Sequence, residues 1–306
     1  MNFMESRKDF AILLGNGINY NNSADYSWKK ILIEIANEKQ DIGYLKDSEA
    51  ISYPEFFDAI IFNKSRQKKL DIKKCISEVK KQICDKITNW NETDRHTTIV
   101  NYAKDNNIPI LTTNYDITLE KALFKDNNKA KKKKKIYLPL GEYLHYRYPW
   151  HQYYSNKKID NSLNSFAIWH IHGFIYYPQS IMIGADDYAS VINHVKDYIN
   201  NKKNGLYASL CNNTTWKGNN SWLNIFFHKD LYIIGLSLDS QETGLRWLLI
   251  QREKYFRDDE KRRKKTVYVH FDNKDLPAGK EFFFNSLGIE IKQLSSYAEI
   301  YKFMEQ

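Results

Sequence analysis

The sequence predicts an α/β fold: a Rossmann-like parallel sheet flanked by helices, with a smaller helical insertion. Three observations carry that expectation. Short apolar, β-branched runs bounded by turn residues recur along the chain, as strands buried on both faces require. Stretches with apolar residues at three- and four-residue spacing separate most of them, the alternation that builds a parallel sheet. Four of the apolar runs end in Gly, Asn or His, at the carboxyl edge where such sheets bind ligands.

Taken in order, the first strand spans 10–14, Phe-Ala-Ile-Leu-Leu, and runs directly into Gly15. A helix follows at 28–38, where Ile31, Leu32 and Ile35 recur at helical spacing. Residues 41–90 carry helical pieces, the clearest at 72–88, and form the helical insertion beside the sheet. A helix at 94–105 leads to the second strand, 109–113. Asp116 then opens a helix reaching residue 124, its short carboxylate suited to the orphan amides of a first turn. Residues 125–165 break the alternation and are read as an insertion or lid. They hold Lys129, Lys131, Lys132, Lys133, Lys134 and Lys135, then a crowd of Tyr143, Tyr146, Tyr148, Trp150, Tyr153 and Tyr154. Aromatics at that density suit a packed hairpin or lid better than a base-stacking platform. The third strand, 166–171, precedes a helix at 186–200. The fourth, 231–234, precedes a helix at 240–256, with Ser240 and Glu242 at its start. A fifth strand lies at 266–271 and a sixth at 288–294. The whole chain, 1–306, is read as a single domain.

Composition narrows the class. Cys75, Cys84 and Cys211 are three, widely spaced and without a C-x-x-C pair, so no disulfide framework and no cysteine zinc site is expected. The first residues are charged and lack the apolar core of a signal peptide. No apolar run approaches the ~18 residues of a membrane span. A soluble, cytoplasmic protein without membrane partners is expected. A net charge of +9 allows an anionic partner, but much of the excess sits in the lysine run. Such a run is ordinarily a solvated loop, so nucleic-acid binding is possible and not favoured.

Four segments carry chemistry. Gly15, Asn16, Gly17, Ile18 and Asn19 follow the first strand, where glycines let backbone approach a diphosphate closely and amides supply hydrogen bonds. The full G-x-G-x-x-G fingerprint is absent, since Tyr20 holds the third position, and no acid has a clear claim to a ribose. The second segment is Thr112, Thr113, Asn114, Tyr115 and Asp116. Asn114 can hold a ribose hydroxyl, a water or a carboxamide, and Asp116 can do the same or cap the next helix. The third is His170, Ile171, His172 and Gly173. No third ligand at sensible spacing follows the two histidines, so zinc is not expected, and His172 at the strand end is well placed for a base. His170 is an orienter of His172 or a core residue. The fourth is Gly235, Leu236 and Ser237, where glycine leaves room for a nucleotide and serine can meet a phosphate or ribose oxygen.

In this order the four segments resemble the SIR2 family, and specifically its divergent bacterial SIR2-like branch found in antiphage defence. Sirtuins carry Gly-Ala-Gly-x-Ser, then Thr-Gln-Asn-x-Asp, His-Gly and Gly-Thr-Ser where this chain has the runs at Gly15, Thr112, His172 and Gly235. Ser27-Trp28-Lys29-Lys30-Ile31-Leu32 and Ile183-Gly184-Ala185-Asp186-Asp187-Tyr188 resemble the SIR2-like branch rather than true sirtuins. The four-cysteine zinc module of sirtuin deacylases is missing, with Cys211 alone in that interval, and so is their Gly-Ile-Pro-Asp-Phe-Arg loop. Both losses weaken the case for acyl-lysine as substrate.

The resemblance implies NAD⁺ as substrate, with Asn114 and His172 as the catalytic pair and Asp116 fixing the nicotinamide side. It places Gly15, Asn16, Gly17, Ile18, Asn19 and Thr113 along the dinucleotide, and Gly235 and Ser237 on its adenosine half. The expected reaction is hydrolysis of NAD⁺ to nicotinamide and ADP-ribose, depleting NAD⁺ in abortive-infection defence. Because a free NADase is toxic, control by homo-oligomer assembly or by a regulatory partner protein that senses infection is expected. A protein ADP-ribosyltransferase or deacylase, and a non-catalytic nucleotide or nucleic-acid binding module, are the alternatives.

Overall fold

The computed structural model describes residues 9–20, 27–36, 51–124, 150–240, 242–271, 276–296 and 299–300. Six strands form one sheet: β1 (Phe10–Leu14), β2 (Ile110–Thr112), β3 (Ile168–His170), β4 (Asp230–Ile234), β5 (Thr266–His270) and β6 (Ile289–Gln293). Their order is β3-β2-β1-β4-β5-β6 and every pairing is parallel. The chain therefore winds outward from β1 in one direction and returns to wind outward in the other. Its reversal lies between β1 and β4, the topological switch point at which open α/β sheets bind ligands. Leu14 is in register with Thr112 on one side and Ile234 on the other, which brings the three strand ends level.

Alternating side chains along each strand serve opposite faces. Ala11, Leu13, Leu111, Trp169, Leu231 and Ile233 join one core with helices α6 (Ala185–Asn200), α8 (Trp222–His228) and α9 (Thr243–Arg257). Phe10, Ile12, Leu14, Ile110, Ile168 and Ile234 join a second with α4 (Asp94–Asp105) and α5 (Thr118–Phe124). Both faces being covered explains why the strands read as continuous apolar runs. A third core unites α1 (Trp28–Ala36), α2 (Tyr53–Lys68) and α3 (Ile72–Ile87). In α2, Ser52 and Glu55 form a reciprocal capping box, each side chain taking the other residue's backbone N–H.

Two expected helix starts move inward. Asp116 stays outside α5 because its Oδ1 accepts the Thr118 N–H at 2.9 Å. Ser240 stays outside α9, for which Glu242 is the N-cap. Three short helices were not anticipated: α7 (Leu206–Asn212), α8, and α10 (Ala278–Ser286) between β5 and β6. The lysine run and Tyr143, Tyr146 and Tyr148 lie outside the described residues. Trp150, Tyr153 and Tyr154 are buried core residues: Trp150 stacks on Trp222 with centroids 5.7 Å apart, and Tyr154 pairs antiparallel with Ile168. Among the described residues no helix is long and apolar enough to cross a membrane.

Candidate active site

The sheet brings all four motif segments to one edge and joins them through the backbone. Gly15 N–H donates to the Ile234 carbonyl at 2.9 Å, and Gly17 N–H to the Gly235 carbonyl at 2.8 Å. The first turn is thus stitched to the β4 loop. Residues 16–19 form one turn of 3₁₀ helix, and Gly15 is extended, with φ −110°. What demands glycine at position 15 is proximity rather than a positive φ: a Cβ there would lie 2.4 Å from the Leu236 side chain and 2.5 Å from the Gly235 carbonyl oxygen. Gly235 itself does adopt a positive φ, +67°. Ser237 is exposed, and its carbonyl accepts from Lys280 and, at 3.3 Å, from the Tyr268 hydroxyl, so the β4 loop is held from the β5 side.

Asn114 sits at the end of β2, one per cent exposed. Its Nδ2 reaches the Gly15 carbonyl at 3.4 Å and its backbone N–H donates to Thr112 Oγ1 at 3.1 Å. Its carboxamide oxygen, Oδ1, is buried with no hydrogen-bond donor among the described residues. Such a group costs free energy unless something pairs with it, and a water or a ligand hydroxyl could supply the donor. His170 anchors the same peptide: Nδ1 donates to the Asn114 carbonyl at 2.7 Å, and Nε2 meets Glu120 Oε1 at 2.9 Å. His170 therefore supports Asn114 instead of His172. β3 ends at His170, so strand alternation no longer places the two histidines together.

Asn19 is fully buried, and its side chain is a hub rather than an open ligand. Nδ2 donates to Asn16 Oδ1 at 2.8 Å and to Asp116 Oδ2 at 3.0 Å. Oδ1 accepts from His96 Nε2 at 2.9 Å, and the Thr118 hydroxyl, 3.4 Å from it, gives its one proton to Asp116 Oδ1 at 2.5 Å. The Thr93 N–H donates to His96 Nδ1 at 3.0 Å, which fixes the ring proton on Nε2. Burial pushes the His96 imidazole down to about 4, so it is neutral. Asp116 is thereby held between the first turn and α5.

His172 lies past β3, buried, and makes no side-chain hydrogen bond among the described residues. Its ring stands edge-on to Tyr188, centroids 5.9 Å apart. Burial pushes its imidazole down to about 4, so near neutral pH it accepts hydrogen bonds but is a weak proton acceptor. Gly173 follows with φ +99°, where a Cβ would lie 2.2 Å from the Ser180 carbonyl oxygen. His172 faces a cavity of about 70 Å³ shared with Thr113 and Tyr115, the residues on either side of Asn114, and with Trp28, Tyr53, Tyr188 and Glu242. The Tyr115 hydroxyl donates to the Met182 carbonyl, and its ring packs edge-on to Trp28 at 4.7 Å, which fixes one wall.

Residues 109–216, from the approach to β2 through the His170–Gly173 segment, match the family model of the SIR2-like domain. Over that span the chain is similar to the SIR2-like domain. No curated protein matches the chain. Within the SIR2-like match lie Thr113, Asn114, Asp116 and His172, whereas the Gly15 turn and the Gly235 loop lie outside it and reach the site through the sheet. Cys75 and Cys84 are buried and Cys211 is exposed, all three free, and no three His, Cys, Asp or Glu side chains among the described residues converge as a metal site would. Four residues of the candidate site were not singled out for it by the sequence: His96, Glu120, Tyr188 and Glu242. Of these, Tyr188 stood in the run after Gly184 and Glu242 at an expected helix start.

Proposed function

We propose that this SIR2-like domain is an NAD⁺ hydrolase that releases nicotinamide and ADP-ribose. The observation that carries the reading is a neutral His172 on a small cavity that is also lined by Thr113 and Tyr115, the two residues flanking Asn114, whose buried carboxamide oxygen has no partner among the described residues. The nicotinamide of NAD⁺ leaves as a neutral molecule and needs no proton. The enzyme's task is to hold the ribose while positive charge develops at C1′ and to admit water. Asn114 Oδ1 takes a ribose hydroxyl or the water, and His172 accepts a hydrogen bond from a ribose hydroxyl. Asp116, tied to Asn19, sets the nicotinamide side.

The turn at Gly15, Asn16, Gly17, Ile18 and Asn19 lies along the diphosphate, and Gly235 and Ser237 along the adenosine half. Thr113 borders the reacting end. Depletion of NAD⁺ in antiphage defence, controlled by self-assembly or by a partner protein, is the role that fits such an activity. The experiment is nicotinamide release from NAD⁺ by the purified chain over a wide protein concentration range, beside His172→Ala. Release that His172→Ala abolishes supports the reading, and none at any concentration counts against it.

A further inference from the structure

Glu242 has no part in the chemistry assigned so far, yet it occupies an unusual place. It is the N-cap of α9, a position that favours Ser, Thr, Asp or Asn because a short side chain folds back onto the helix amides. The Glu242 side chain makes no such bond. Glu242 lines the cavity shared with Thr113 and His172, and its Oε2 is buried with no hydrogen-bond partner among the described residues. Around it stand Asp239 on the same loop, Tyr53 from α2, Tyr188 from α6 and His172 beyond β3. None of these is a cation. The nearby cations are engaged elsewhere: Lys280 with Asp239 at 3.1 Å, and Arg246 with the Leu238 carbonyl at 2.9 Å and over the Phe283 ring. Burial, and after it the charge of Asp239, pushes the Glu242 carboxyl up to about 7, against the modest pull of the α9 amino terminus.

Water attack at C1′ leaves a proton to be placed. Asn114 has no basic site, and His172, near 4, is a poor proton acceptor at neutral pH. We infer that Glu242 is the catalytic base that takes the proton of the attacking water, an assignment that rests on the NAD⁺-hydrolase reading of the same cavity. The water oxygen bonds to C1′ as the bond from C1′ to the pyridinium nitrogen breaks, its electron pair going to that nitrogen to give neutral nicotinamide. The water proton passes to Glu242 Oε2 and then to solvent. A base tuned close to the working pH is the efficient one, since it is both substantially ionised and strong enough to take the proton.

The test compares the full chain with Glu242→Gln, which keeps size and removes basicity, measuring nicotinamide release and KM for NAD⁺ from about pH 5.5 to 9. Glu242→Gln should lower kcat by about 100-fold or more while KM stays within about threefold. Azide, which needs no deprotonation to attack C1′, should restore nicotinamide release to Glu242→Ala. Activity of Glu242→Gln within about threefold of the parent, or a loss confined to KM, overturns the assignment and leaves the hydrolase reading standing. The parent chain supplies a check that needs no variant: kcat/KM, which reports ionisations of the free enzyme, must rise with pH through an ionisation near 7, and a flat profile overturns the assignment. Absence of nicotinamide release from the parent chain overturns the hydrolase reading, and this assignment with it.

Discussion

His170 donates from Nδ1 to the Asn114 backbone carbonyl at 2.7 Å while Glu120 holds its other ring nitrogen at 2.9 Å. The loop that presents Asn114 is therefore clamped from β3 and α5 at once, and a buried pair not in contact with the cavity sets where the carboxamide stands. His170→Ala leaves a buried carbonyl without its donor, a loss of about 1–3 kcal/mol in unfolding free energy. Acting through Asn114, it should lower kcat by at least about tenfold with little change in KM. Urea unfolding together with steady-state kinetics reads both, and an unchanged kcat in a destabilised protein would reduce His170 to a core residue.

Asn19→Ala strips one buried residue of three hydrogen bonds and leaves the His96 Nε2–H and an Asp116 oxygen unpaired. The expected cost is at least about 2 kcal/mol in urea unfolding. A cost below about 0.5 kcal/mol would mean that the network does not hold the first turn.

Gly15→Ala should disable the site even though the backbone at Gly15 suits any residue, because the added methyl meets Leu236 and the Gly235 carbonyl. Overpacking of this kind costs about 1–3 kcal/mol. Pairing it with Leu236→Ala relieves the side-chain clash but not the one with the Gly235 carbonyl, so nicotinamide release should stay below the parent level. Full recovery in the double variant would place the constraint in the side chain alone.

Acid should weaken the fold through the buried imidazoles. Burial lowers His96 and His172 to about 4 in the folded chain from an ordinary value of 6.5. Between those limits the unfolded chain binds more protons, so stability is fully present above pH 6.5 and is lost as pH falls toward 4. Each ring accounts for about 2 kcal/mol of the loss at pH 5. Urea unfolding of His96→Gln and its parent at about pH 7.5 and 5 should show a smaller acid loss in the variant, and equal losses would contradict the lowered value.

The sheet was legible because parallel strands buried on both faces leave unbroken apolar runs such as Phe10–Leu14. The glycine, Asn114 and His172 positions were legible because they close those runs. The short helices α7 and α8 were not, since seven residues carry barely two turns of pattern. The supporting residues left no local trace either. His96 meets Asn19 across 77 positions and His170 meets Glu120 across 50, contacts that exist only after the sheet has formed. Glu242 read as part of a helix start, and only the structure shows that its side chain makes no bond to the helix amides and that the residue lines the cavity.

The stoichiometry of the reaction separates hydrolysis from transfer. Purified chain is incubated with NAD⁺, and free nicotinamide and free ADP-ribose are quantified together by chromatography. Hydrolysis predicts equal amounts of the two, with both products lost in Asn114→Ala. Nicotinamide without matching free ADP-ribose would point to transfer onto an acceptor, and NAD⁺ left intact would contradict the account outright.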